Sequence, residues 1–192
     1  MAIVGNYRKR QGRQRGAAAV EFALVAALFF TLLLGIVEFG RFLYLYDTVQ
    51  EVTRRAAREA VVRDFTTTEQ GKIQRAAVLQ DETSTGTVSL TAGGEITNLV
   101  VNIEYLNGSY ASASPMPTDP ADNIAACADS SRVNSCIRYV RVCVRQSAGS
   151  CDISNPVRYS PMAGWFSFLG VEMPVSTVTM PAESLGYIPP SL

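Results

Sequence analysis

Apolar residues follow three different rhythms along this chain. From Ala17 to Phe39 nearly every position is apolar, and no charge interrupts the run between Phe22 and Val37. A helix of that length spans ~35 Å at ~1.5 Å per residue, enough to cross a hydrocarbon core of ~30 Å with some tilt. A cleaved secretory signal fits poorly, because its apolar region is usually shorter and ends at a small-residue cleavage site. Beyond Arg41 the rhythm changes. Phe42, Leu45, Val49, Val52, Ala56 and Ala60 recur at steps of three and four, with Asp47, Glu51, Arg55, Arg58 and Glu59 on the other faces. That period predicts one continuous helix from about Ala17 to Arg63, apolar all round in its first half and amphipathic in its second.

The three threonines Thr66, Thr67 and Thr68 break this pattern. Thr67 with Gln70 has the spacing of a capping box and predicts a second helix over 66–80, whose Ile73, Ala76, Ala77 and Leu79 pack on the first. Gly86, Gly93 and Gly94 then mark a switch to the third rhythm, alternation. Asn98 to Leu106 and Ile137 to Arg145 read as strands, the second with Val140, Val142 and Val144 on one face, as in the centre of an antiparallel sheet. Val175 to Met180 reads as a closing strand, and Trp165, Phe166, Phe168 and Leu169 as an apolar turn over the core. Between them, residues 107–135 are rich in Gly, Ser, Pro, Asn and Asp and read as a long surface loop. The expected class is α+β: a long N-terminal helix, half transmembrane and half amphipathic, packed on a small antiparallel-sheet head. Residues 1–16 form a leader and 17–40 the membrane segment. Residues 41–192 form one extracytoplasmic domain, with 41–64 continuing the helix and 87–192 mostly β.

Charge sharpens this picture. The chain has 17 bases and 17 acids, but Arg8, Lys9, Arg10, Arg13 and Arg15 precede the first acid, so the leader is basic and the remainder acidic. A basic leader favours a cytoplasmic N-terminus and an external C-terminal domain, although Arg41, Arg54, Arg55, Arg58 and Arg63 on the far side weaken the asymmetry. An acidic remainder offers no clustered positive surface for nucleic acid. The chain has no histidine, which removes the commonest general base and the commonest zinc ligand. No Walker-type loop, GxSxG elbow or CxxC pair is present either. The expectation is therefore a non-enzyme without cofactor or metal. Asp119, Asp122 and Asp129 do not have EF-hand spacing and read as solvated loop residues.

One residue stands out against the apolar run. A carboxylate such as Glu21 inside a membrane helix costs about 2.5–3.5 kcal/mol, and such residues usually have a partner and a role. Glu38 and Arg41 stand three apart at the outer boundary and read as an interfacial ion pair, with Phe42, Tyr44 and Tyr46 as anchoring rings. Ala17, Ala18, Ala19, Ala23, Ala26 and Ala27 permit close helix packing, though Gly35 and Gly40 lack the GxxxG spacing. The four cysteines, Cys127, Cys136, Cys143 and Cys151, all lie in the outer domain. Their even number fits disulfides in an oxidising compartment, and their spacings of nine, seven and eight do not fit a zinc knuckle. Short loops favour Cys127 with Cys136 and Cys143 with Cys151.

A basic leader, Gly16, four small or apolar residues and then Glu21-Phe22 look like a prepilin-peptidase substrate. More narrowly, RGAAAVEFAL followed by GIVEFGRFLY resembles the TadE-like pilus-assembly proteins, minor pilins or pseudopilins of tight-adherence (Flp-type) systems. The resemblance implies a pilin-like fold and a bacterial inner-membrane location. It implies cleavage between Gly16 and Ala17, which makes Glu21 the fifth residue of the mature chain. Prepilin peptidase, other pilus subunits and the assembly platform are the implied partners, and surface adhesion the implied use. Glycine at the cut is conformationally permissive and poorly helical. Glu21 would accept the new Ala17 amine of a neighbouring subunit, replacing two isolated charges with a pair. The plainer alternative places Glu21 near the headgroups, favoured by the helix dipole, in an uncleaved single-pass protein whose periplasmic domain binds a partner.

Overall fold

The computed structural model describes residues 8–146, 149–152, 154–162 and 170–189, with side chains from Gly16 onward. The chain divides into two compact units, Met1–Arg41 and Phe42–Leu192. A single helix, α1 (Arg8–Ala60), supplies the first unit and enters the second. It begins earlier than the hydrophobic pattern predicts: helical structure runs through the basic residues and Gly16. The class is α+β, a long apolar N-terminal helix with small antiparallel sheets.

In the second unit α1 buries Leu45, Val49, Val52, Ala56 and Ala60, which recur at helical spacing, together with Ala57, while Phe42 at the start of that stripe is partly buried. Thr53 is also fully buried, and its hydroxyl donates to the Val49 carbonyl at 2.8 Å, so no polar atom is stranded in that face. Helix α2 (Thr67–Ala77) adds Ile73 and Ala77 to the same core. Thr66 rather than Thr67 caps it, its hydroxyl accepting from Glu69 N at 3.5 Å. The helix is also shorter than predicted. After Val78 the backbone turns left-handed at Leu79 (φ 62°), which leaves that side chain half exposed instead of packed on α1.

Strands β1 (Ser89–Leu90) and β2 (Gly93–Thr97) form a two-stranded ribbon. The segment predicted as a strand from Asn98 opens instead with a 3-10 turn, Asn98–Val100, and becomes β3 at Val101–Leu106. The buried Asn98 side chain explains the turn, because its Oδ1 accepts from Val88 N at 2.9 Å and ties the ribbon to β3. Strand β4 (Tyr139–Val144) pairs antiparallel with β3, from Val101 opposite Val144 to Leu106 opposite Tyr139. Strand β5 (Thr177–Pro181) pairs with the other side of β4, from Tyr139 opposite Pro181 to Cys143 opposite Thr177. β4 is thus the central strand, and its Val140, Val142 and Val144 are buried in the core.

The predicted loop over 107–135 contains a helix, α3 (Pro120–Ala128). Asp119 is its N-cap, accepting from Asp122 N at 2.8 Å, and Pro120 occupies the first turn, where a missing N–H is harmless. The predicted apolar turn at Trp165, Phe166, Phe168 and Leu169 lies outside the described residues.

The end of α1 is completed from the far end of the chain. Glu183 N and Leu185 N donate to the Val61 carbonyl at 3.1 and 3.2 Å, Gly186 N to the Val62 carbonyl at 2.8 Å, and Ser184 Oγ to the same carbonyl at 3.1 Å. The carbonyls of Val61 and Val62 lie in the turn just past α1, beyond its intrahelical bonds, and this segment supplies their donors. Leu185 inserts into the core beside the contact. Gly186 sits at φ +80°, where an added Cβ would lie 2.7 Å from Asp64 N.

Candidate processing and assembly site

Gly16 and Ala17 both lie within α1, and nothing stands within 4 Å of a Cβ added at Gly16. The bond between them is therefore accessible from the sides but helical, whereas a peptidase needs an extended strand. Glycine lowers the cost of unwinding, being about 1 kcal/mol less favourable than alanine in a helix.

Glu21 is exposed, and no described residue lies within ion-pair or hydrogen-bonding distance of it. It stands one turn beyond Ala17 on the same helix face, about 6 Å along the axis. Its surroundings are apolar: Val20, Phe22, Leu24, Val25 and Leu28 are all more than half exposed. Phe22 is three-quarters exposed. In the most apolar stretch of this helix no residue is buried among the described residues. A core helix of a soluble protein would be covered; this one is long and apolar enough to cross a membrane. The hydroxyl of Thr31 within it donates to the Ala27 carbonyl at 2.7 Å, which satisfies the donor without water. These features describe a single-pass anchor.

Glu38 and Arg41 do pair, Oε1 to Nη1 at 3.5 Å, and both side chains are largely buried. The anchoring rings divide. Tyr44 and Tyr46 are about two-fifths exposed, and Tyr44 also donates to the Thr91 carbonyl at 3.4 Å. Phe42 instead packs edge-on against Tyr159 at 5.3 Å and belongs to the head.

All four cysteines are paired, Cys127 with Cys136 and Cys143 with Cys151. The first bridge joins α3 to the approach to β4, where Asn123 Oδ1 also accepts from Ile137 N at 2.8 Å. The second holds a loop against the outer face of the sheet, where Gly149 N meets Asn102 Oδ1 at 3.1 Å and Cys151 N meets Glu104 Oε1 at 2.9 Å. Asp119, Asp122 and Asp129 are committed elsewhere. Asp119 caps α3, Asp122 pairs with Arg132 at 2.9 Å, and Asp129 accepts from Ser131 N at 2.8 Å. The hydrogen bond from Arg132, then that from Thr118 N, holds the Asp122 carboxyl below its usual range. Among the described residues no cluster of histidine, cysteine or carboxylates is placed to hold a metal ion.

Besides helix α3, sequence reasoning missed two sets of contacts. The Glu183–Gly186 latch gave no periodic signal, because backbone groups make most of its bonds. Arg63, in sequence one base among several, grips Glu82 through two nitrogens at 2.8 and 2.7 Å and Glu59 at 2.8 Å.

Residues 16–58 match the family described as TadE-like protein. The match begins at the glycine, includes Glu21, Glu38 and Arg41, and ends in the last turn of α1. No match was found among curated proteins or among solved structures.

Proposed function

We propose that this chain, a TadE-like protein over residues 16–58, is a structural minor pilin or pseudopilin of a tight-adherence pilus. Prepilin peptidase removes the leader after Gly16. The mature subunit, anchored in the inner membrane with its head in the periplasm, then takes part in assembling an adhesive filament with other pilus subunits and the assembly platform. It catalyses nothing. The observation that carries this reading is Glu21: a carboxylate with no partner among the described residues, on a largely exposed apolar stretch of helix, five residues past the glycine where the family match starts. A neighbour's Ala17 amine supplies the missing charge, and the exposed alanines let two helices approach closely. Two disulfides in the head support its placement in an oxidising compartment.

A second reading has one observation in its favour. The Gly16–Ala17 bond is helical and continuous with the leader, as suits an uncleaved single-pass protein with a periplasmic interaction domain. N-terminal sequencing and intact mass distinguish the two. Membranes containing prepilin peptidase should yield a chain beginning at Ala17, and peptidase-deficient membranes the full chain; an identical full-length chain from both overturns the pilin reading. Glu21→Ala should leave insertion normal and abolish assembly.

A further inference from the structure

The two edges of the β3–β4–β5 sheet differ. Arg145 N donates to the Val100 carbonyl in register with the β3–β4 pairs, so Val101, Ile103 and Tyr105 turn their backbone groups away from β4. Part of that edge is met within the chain: Gln74 Nε2 donates to the Val101 carbonyl at 2.8 Å, and Ala113 N to the Tyr105 carbonyl at 2.9 Å. At the other edge, Val144 N donates to the Ser176 carbonyl and Ala182 N to the Arg138 carbonyl. This places the β4–β5 bonds at the even positions of β5. The N–H groups of Thr177 and Thr179, and the carbonyls of Thr177, Thr179 and Pro181, therefore face outward. Among the described residues nothing bonds to them.

Open edges are usually protected by charge, and β5 carries none; Pro181 blunts only its last position. A groove of about 260 Å³ lies beside it, lined by Gln50, Arg54 and residues 174–178. Arg54 is exposed, and no described acid lies within ion-pair distance of it. The two observations point to one kind of occupant. Donors and acceptors alternating at strand spacing are satisfied by another extended backbone, and a guanidinium beside them by a carboxylate. β5 of a second copy brings no carboxylate of its own.

We propose that β5 is a docking edge that takes an extended acidic segment of a partner polypeptide as a fourth strand. The segment pairs with the backbone of Thr177 and Thr179 and sets a carboxylate against Arg54. This interaction is independent of Glu21 and of leader processing.

Hydrogen exchange on the full chain in lipid nanodiscs tests it. The probe is a capped peptide of alternating threonine and valine with one central glutamate. Saturating peptide should slow exchange at the Thr177 and Thr179 amides about tenfold. Replacing its glutamate with glutamine should weaken binding about two- to fivefold, and Arg54→Gln should erase that difference. A peptide N-methylated on its edge-facing amides keeps every side chain and should give no protection. Unchanged exchange at millimolar peptide overturns the proposal, as does equal protection by the N-methylated peptide. Protection that grows with protein concentration in the absence of peptide assigns the edge to a second copy and overturns it too.

Discussion

Between Ala17 and Phe39, α1 leaves Phe22, Leu24 and Leu28 more than half exposed; between Leu45 and Ala60 the same helix buries Leu45, Val49, Ala56, Ala57 and Ala60 almost completely. Both stretches present apolar surface, and both are helical. They differ in where their partners are. The second finds them in the head, through a stripe narrow enough to leave charged residues on the other faces. The first is apolar on nearly every face, so lipid or another helix must cover it, and Glu21 is the only ionisable side chain within it before Glu38. A hydrophobic surface alone does not distinguish a core from an anchor; the periodicity of the surface does.

The largest expected effect tests that difference directly. Leu45→Ala removes a fully buried side chain and should lower the stability of the head by about 2–5 kcal/mol. Leu24→Ala, at a position two-thirds exposed, should leave it unchanged. Urea denaturation of the full chain in detergent, followed by near-ultraviolet circular dichroism, measures both. Equal losses would mean that the first stretch is also part of the core. Reduction comes next in size, because every covalent tie lies in the head. Opening each short disulfide loop should cost about 2–3 kcal/mol on the chain-entropy account, while far-ultraviolet helicity of the membrane segment persists.

Gly186→Ala probes how the second stretch is closed off. The new Cβ meets the Asp64 backbone and must adopt a left-handed conformation, so about 1–3 kcal/mol should be lost and the amides of Leu185 and Gly186 should exchange faster. Unchanged exchange there would show that the latch does not hold the helix end.

What the sequence made legible follows the same divide between periodic and non-periodic information. The apolar run, the three-four spacing of Leu45 to Ala60 and the alternation of Val140, Val142 and Val144 are each repeated signals, and they carry the α+β class. The cysteines were legible because short loops restrict which sulfurs can meet. Leu79 misled because an apolar residue at the right spacing was counted as helical, although one left-handed residue ended the helix first. Helix α3 was hidden in a polar stretch, where Asp119-Pro120 was its only start signal. The latch was invisible because main-chain N–H groups, which nearly every residue has, make most of its bonds. Glu21 was the opposite case: a single aperiodic residue that stood out because its surroundings made it expensive.

The smallest effect concerns charge, and it separates the two stretches again. Just beyond α1, Arg63 donates to both carboxylate oxygens of Glu82, and that hydrogen bond, ahead of the charges of Arg63 and Lys72, holds the Glu82 carboxyl below its usual range. The same bond, ahead of the nearby carboxylates, raises the Arg63 pKa, so Arg63 stays charged throughout and contributes no step of its own. A carboxyl with a lowered folded pKa stabilises the fold above its unfolded pKa, and that contribution disappears as pH falls through the folded value. Both side chains are partly exposed, so the coupling is modest. A double-mutant cycle of Arg63→Gln and Glu82→Gln should give about 0.5–1 kcal/mol near neutral pH, less at high salt, and almost nothing in strong acid. Glu21→Gln, at a carboxylate with no partner among the described residues, should leave the acid transition of the head where it was. A coupling that persisted unchanged into strong acid would mean that Glu82 is held by packing rather than by its charge.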